Sequence, residues 1–431
     1  MKCIRINDQL TISEQPNLDT LASLKKEGFT DVVNLRPDDE APAYPLHKTA
    51  AHTAREAGLN YHYIPVTLKN IKRADIRAFQ DVLTHHRGPI FAHCASGKRV
   101  MSLYALGLAL DGHLRADDII SFGRSQGFDL QEAQAWFKHE QQRPLLVEGF
   151  FDPRTWTAQY IVTDPATKHC AIIDPVLDFD EKSGTTSTRN ADHLLSYVKQ
   201  HDLTIDWILD THPHADHFSA AHYLRSKTGA PMGIGAQVTA VQKLWKDLYN
   251  LPSLPTDGSQ WDRLFNDGDT FTIGSRTGHV WASPGHTLAS VSFLIDDAIF
   301  VHDTMFMPDS GTARTDFPGG SAHTLWQSLE RILSLPDETR VFTGHDYQPD
   351  GRHPQWESTI REQKEENPHL KNMTEEGFIT LRETRDHTLP MPKLLLPALQ
   401  VNIRGGQLPE PEDNGRRYLK IPLNAIDDAA W

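Results

Sequence analysis

Along the first third of the chain, short apolar runs alternate with amphipathic stretches. DVVNLR (31–36), YHYIPV (61–66) and PIFAHC (89–94) are brief and rich in β-branched or aromatic residues, which predicts buried strands. Between them, LDTLASLKKEG repeats leucine at helical spacing and stops on a glycine, as a helix with its C-terminal cap does. Strands alternating with helices predict a parallel α/β sheet. Two further amphipathic stretches, ADDIISFGRSQG and LQEAQAWFKHEQQ, close this first domain at residue 142. After Arg143-Pro144 the pattern changes. TAQYIVTD and CAIIDPV predict paired strands, ADHLLSYVKQH a helix and DWILDTH another strand, and the mixture continues to about residue 345. From residue 390, LPALQVNIRGG and several prolines predict irregular chain packed on a second domain of residues 143–431.

Size agrees with that division, because 431 residues exceed what one ordinary core organises. A net charge of −14 argues against nucleic-acid and anionic-membrane partners. Three scattered cysteines, Cys3, Cys94 and Cys170, make no disulfide framework and suit a reducing compartment. MKCIRINDQL carries no apolar run of the secretory kind, and SLYALGLAL is too short to span a bilayer. These features predict a cytoplasmic protein without nucleic-acid or membrane contacts, and leave open whether it forms a homo-oligomer.

The 23 histidines change the picture only where they cluster. In DWILDTHPHADHFSA, a strand runs into His212, His214, Asp216 and His217, four nitrogen or oxygen ligands within six residues. Such an array at a strand end converges on one point, as a metal site requires. Further ligand types follow at other predicted strand ends: His286 in ASPGHTLAS, Asp303 in AIFVHDTMF and His345 in VFTGHDY.

This series resembles the motifs of the metallo-β-lactamase superfamily over roughly residues 145–390. The resemblance implies an αββα sandwich with metal at one edge of its two sheets. Two chemistries remain compatible with the ligand series. A dinuclear zinc thioester hydrolase of the glyoxalase II kind would bridge its metals through Asp303. A mononuclear iron dioxygenase would use His212, His286 and Asp303, leaving His214, Asp216, His217 and His345 as supporting residues or a second metal site. SGTARTDFPGGSA (310–322) resembles the RTDF segment of persulfide dioxygenases. That resemblance implies one Fe(II) per chain, with zinc as the alternative, and Arg314, Asp316 and Tyr347 as a network beside it. The implied substrates are O2 and glutathione persulfide or another small persulfide, and the products are sulfite and the free thiol.

FAHCASGKRV (91–100) bears on the first domain. It looks like a tyrosine-phosphatase signature, yet only four residues separate Cys94 from Arg99, where the phosphatase loop has five. A loop of this kind points backbone N–H groups inward at a helix N-terminus and closes on an arginine, which favours a nucleophilic thiolate. The shorter Cys94–Arg99 loop resembles that of rhodanese-type sulfurtransferases, and its narrower cradle suits a sulfane sulfur better than a phosphoryl group. With ISEQP and VNLRPDDE, the unit resembles a phosphatase-like family found beside persulfide dioxygenases. The whole chain resembles the bacterial β-lactamase-hydrolase-like proteins. That implies a bifunctional sulfurtransferase and dioxygenase of sulfide detoxification, handling sulfite and thiosulfate at Cys94 and Arg99. The competing enzyme is a thioester hydrolase fused to a dual-specificity phosphatase.

Overall fold

Two of the three apolar runs in the first third form wholly buried strands, whereas YHYIPV forms a part-exposed strand at the sheet edge, Asn60–Tyr63. In the computed structural model, which describes residues 3–41, 43–86 and 88–424, the chain divides into two units. One comprises Met1–Arg143 together with Gln348–Gln355, and the other the remainder.

The first unit is built on a five-stranded sheet in the order Cys3–Arg5, Leu10–Ser13, Ile90–His93, Asp31–Asn34, Asn60–Tyr63. Four strands are parallel, and Cys3–Arg5 adds an antiparallel edge. Strands Asp31–Asn34 and Ile90–His93 are wholly buried, which fits their unbroken apolar pattern. Helix Lys98–Leu110 is apolar nearly all round and packs in the core as Val100, Leu103 and Leu106.

The second unit is a mixed αββα sandwich of the metallo-β-lactamase fold. One six-stranded sheet runs Arg263–Phe265, Met232–Gly235, Thr204–Leu209, His169–Ile173, Thr157–Asp164, Leu146–Asp152. The other runs Thr270–Ile273, Arg276–Ala282, Val291–Ile295, Ala298–His302, Arg340–Thr343, Glu357–Thr359. Aromatic side chains join the two sheets: Tyr160 meets Phe300 and Phe342 edge-on at 5.4 and 5.5 Å between centroids. On the outer faces, Ile161 and Ile172 pack with Leu194, Val198 and Leu224 of helices, while Ile299 and Val301 pack with Leu325, Leu329 and Phe378. Every strand residue of Thr157–Asp164 is therefore buried.

The segment after 390 differs from expectation. Leu395–Asn402 is an α-helix whose Leu395, Ala398, Leu399 and Val401 are buried in the larger core cluster. Its apolar residues cover both its near and far sides, so the amphipathic period that announces a surface helix is missing.

Candidate functional site

Five strands of the sandwich end at one place, and each end delivers ligand-bearing side chains. His212, His214, Asp216 and His217 follow strand Thr204–Leu209; His286 lies beyond Arg276–Ala282; His302 ends Ala298–His302 with Asp303 next; His345 follows Arg340–Thr343. Asp174, one residue beyond His169–Ile173, joins them.

The rings are fixed by a shared device: one nitrogen is tied to the protein and the other faces the cluster. Nδ1 of His212 meets Thr211 Oγ1 at 3.1 Å, Nδ1 of His217 meets the Phe218 carbonyl at 3.2 Å, and Nδ1 of His286 meets the Arg314 carbonyl at 2.8 Å. Nδ1 of His345 lies 3.2 Å from the Trp156 carbonyl. His214 is reversed, with Nε2 held 3.0 Å from Asp174 Oδ1. Asp174 itself is fixed by the Thr211 N–H and hydroxyl, which donate at 2.7 and 3.0 Å. Nε2 of His212, Nδ1 of His214 and Nε2 of His217 are buried and have no hydrogen-bond partner among the described residues.

Asp303 stands at the centre. Its Oδ2 is 3.8 Å from His212 Nε2 and 3.6 Å from His286 Nε2; its Oδ1 is 3.1 Å from His302 Nδ1 and 3.3 Å from His345 Nε2. Nε2 of His345 is also 3.0 Å from Asp216 Oδ2. Burial alone would push Asp303 up, but the His345 and His302 rings outweigh it and hold the carboxyl well below the usual range. Burial also holds His212 and His214 far below the ordinary imidazole value, so both keep free lone pairs. The neutral imidazoles of His212 and His214, the ionised Asp303 carboxylate and inward nitrogens that would otherwise be costly to bury together fit a transition-metal ion. Ligand atoms of His212, His286 and Asp303 lie within 4.8 Å of one another, as do those of His214, Asp216 and His217, and of His302, Asp303 and His345.

The loop after Asp303 is braced from behind. Arg314 donates from Nε and Nη2 to the two oxygens of Asp316, both at 2.7 Å, and from Nη1 to the Pro390 carbonyl at 2.7 Å. Its guanidinium covers Phe317, whose ring meets His286 edge-on at 5.2 Å. The buried Arg382–Asp386 pair anchors the same loop: Asp386 accepts from the Thr315 N–H at 2.8 Å and Arg382 donates to the Thr312 carbonyl at 2.8 Å. Tyr347 is placed differently from the implied network. Its ring lies parallel to His345 at 5.9 Å and touches Phe306 and Trp156, and its hydroxyl has no hydrogen bond to Arg314 or Asp316 among the described residues.

The second candidate site is the Cys94 loop of the first unit. Cys94 is fully buried, and its sulfur accepts from the Gly97 N–H at 3.1 Å. Gly97 has φ +82° and caps helix Lys98–Leu110; a side chain there would also meet Phe128 at 3.2 Å. Arg99 donates from Nη1 to the Val66 carbonyl at 2.9 Å, and its Nη2 reaches both oxygens of Glu40 at 2.6 Å. Asp38, two residues before Glu40, is engaged with the His47 ring at 2.6 Å. His93, beneath the cysteine, is pushed down to about 3 by burial, with Arg36 adding to the effect.

Residues 4–111 match the β-lactamase hydrolase-like protein, phosphatase-like domain, and residues 157–345 match the metallo-β-lactamase superfamily. A β-lactamase hydrolase-like protein of Xylella fastidiosa is 59% identical over 431 residues, 100% of both chains. The chain belongs to the β-lactamase hydrolase-like protein family. Over the second unit it is also 51% identical to Glyoxylase B2 of Dictyostelium discoideum, covering 65% of this chain and 97% of that one. It is 30% identical to the human mitochondrial persulfide dioxygenase ETHE1, covering 61% of this chain and 89% of that one. Among the described residues no helix is long and apolar enough to cross a membrane.

Four residues of these sites escaped the sequence reading. His302 is hidden in the His-Asp dipeptide beside Asp303, and its backbone stands at φ +34°, as that of Asp174 stands at +50°. Gly344 permits its ring, since a side chain there would come within 2.4 Å of it. Asp174 looks like a turn residue before proline. Asn402 donates to the carbonyls of His214 and His217 at 2.8 and 2.7 Å and accepts from the Ser219 N–H at 2.8 Å, across more than 180 residues. Glu40 carries no signal beyond a short acidic run.

Proposed function

We propose that the second unit is a mononuclear Fe(II) persulfide dioxygenase and that the first is a cysteine sulfurtransferase. The observation that carries the first half is the convergence of His212 Nε2 and His286 Nε2 on one oxygen of Asp303, two imidazoles and a carboxylate on a shared face. The relationship to a human persulfide dioxygenase and the RTDF loop bracing His286 support the same reading. Held by His212, His286 and Asp303, iron would supply the redox chemistry for O2 and the sulfur substrate. The protein's own part is positional. Thr211 and the Arg314 carbonyl set the two ring planes, Phe317 and Phe306 keep the surroundings apolar, and Asp216 with His345 provides a polar pair that can hold a proton. The overall change is glutathione persulfide + O2 + H2O → glutathione + sulfite + 2 H⁺, in which the two sulfurs together give four electrons to O2.

In the first unit, the Cys94 thiolate attacks the outer sulfur of thiosulfate. A Cys94–S bond forms, the sulfur–sulfur bond of thiosulfate breaks, and its electron pair leaves on sulfite. The Gly97 N–H already points at the sulfur that reacts. In reverse, sulfite made by the second unit attacks the outer sulfur of a Cys94 persulfide formed from glutathione persulfide, so that thiosulfate forms, the sulfur–sulfur bond breaks and the Cys94 thiolate leaves.

One observation favours a second reading. Asp303 also faces His302 and His345 through its other oxygen, and the Glyoxylase B2 relative is the more similar one, which suits a dinuclear metal thioester hydrolase. The deciding experiment loads the full chain with Fe(II), adds glutathione persulfide and follows O2 consumption and sulfite together. Stoichiometric uptake and sulfite support the dioxygenase. An iron-loaded chain that takes up no O2 but hydrolyses a glutathione thioester supports the hydrolase.

A further inference from the structure

The first unit holds a second group of metal-ligand type that plays no part in either reaction above. Asp31 opens strand Asp31–Asn34, His62 lies on the adjacent parallel strand Asn60–Tyr63, and His86 follows helix Arg73–His85. Nε2 of His62 and Nδ1 of His86 approach the same oxygen, Asp31 Oδ1, at 3.0 and 2.9 Å. The three ligand atoms all lie within 4.8 Å of one another. The other oxygen of Asp31 accepts from the Thr30 hydroxyl at 2.6 Å, so the carboxylate is held in orientation from outside the cluster. Its side chain is 2% exposed.

A third imidazole stands beside this group. The His353 ring is 5.6 Å from that of His62 between centroids, and the two strands' edge holds its backbone, because its N–H donates to the Tyr63 carbonyl at 3.3 Å. His353 belongs to the segment Gln348–Gln355, which is part of this same unit. The His62 and His86 rings are themselves 4.7 Å apart at 74°. A single aspartate–histidine hydrogen bond would need one ring. Two imidazoles meeting on one oxygen of a buried carboxylate, with a third ring beside them, make a poor proton-holding arrangement and a good metal-holding one. Nitrogen and oxygen ligands about 2.0–2.1 Å from a tetrahedral zinc stand roughly 3.3 Å apart, close to the separations found here before any ion draws them into place.

We infer that Asp31, His62 and His86 bind a second divalent transition-metal ion of the zinc class, with His353 as the fourth ligand. Four protein ligands leave no open position, so the ion is structural. It ties the edge strand, the exit of helix Arg73–His85 and the Gln348–Gln355 segment into one cross-link. The inference stands whichever reaction the sandwich performs.

The test uses the full chain, freed of metal, reconstituted with Zn²⁺ and passed through a desalting column before metal analysis. Wild type is expected to keep one zinc more than His86→Gln and His62→Gln, with O2 uptake by the iron-loaded variants unchanged. Asp303→Ala is expected to keep this extra zinc. His86 is one-third exposed on a loop, so His86→Gln leaves the fold intact should His62→Gln destabilise it. The zinc-dependent rise in Tm is expected to be smaller in His86→Gln and His353→Gln than in wild type. Equal zinc retention by wild type and His86→Gln would overturn the inference.

Discussion

The metal-ligand cluster and the Cys94 loop are built in opposite ways. At the metal centre His212, His214 and His217 each spend one nitrogen on the protein and keep the other for something else; the site is incomplete without an ion. At the Cys94 loop the charged groups satisfy each other. Arg99 is taken by Glu40 and by backbone carbonyls, and the sulfur has the Gly97 N–H. A permanent cofactor lets a site be built around unmet ligands. A transient anion requires a site that is stable alone and exchanges an internal partner for the visitor.

The sharpest way to break this contrast is to remove Asp303. Asp303→Ala should reduce metal retention and O2 uptake to background, because both ligand groups converge on its two oxygens, while thiosulfate turnover stays at the wild-type rate. A parallel fall in thiosulfate turnover would show that the two sites work as one. Cys94→Ser is the mirror case: sulfur transfer should vanish and O2 uptake continue unchanged, as read in paired assays on one preparation.

Smaller effects sharpen the comparison. Asn402→Leu leaves the carbonyls of His214 and His217 buried without their donor, a loss of about 1–3 kcal/mol in a denaturant melt. Residues that orient ligands typically contribute about 10–100-fold in metal affinity, and competition with a chelator should show a loss in that range. Glu40→Gln should act in the other direction. The Glu40 carboxylate is 37% exposed, so its pair with Arg99 is worth about 1 kcal/mol or less. Freeing the guanidinium should lower KM for thiosulfate by at most about fivefold without altering O2 uptake. A KM that rises would mean that Glu40 positions Arg99 for the anion.

Much of both folds was legible because burial on two faces leaves unbroken apolar runs, and the ligand motifs stood at the ends of those runs. His212, His286 and Asp303 could be picked out from residue type and position alone. The residues that orient them could not. Asp174 reaches His214 across 40 residues, and Arg382 reaches Thr312 across 70, so no local spacing records the contact. Helix Leu395–Asn402 was lost because a helix buried on all sides has no polar stripe to set its period. Tyr347 was placed in the Arg314–Asp316 network by family likeness, whereas the packing gives its ring to His345.

The long reach of Asn402 also sets a schedule. A ribosome adding about 5–20 residues per second needs roughly 10–40 s to travel the 188 positions from His214 to the amide that fastens its loop. During that interval the part of the first unit before residue 143, with its strands and cysteine loop, has time to fold, whereas the histidine loop still lacks the Asn402 amide. Metal capture is thereby a late event in the life of the nascent chain.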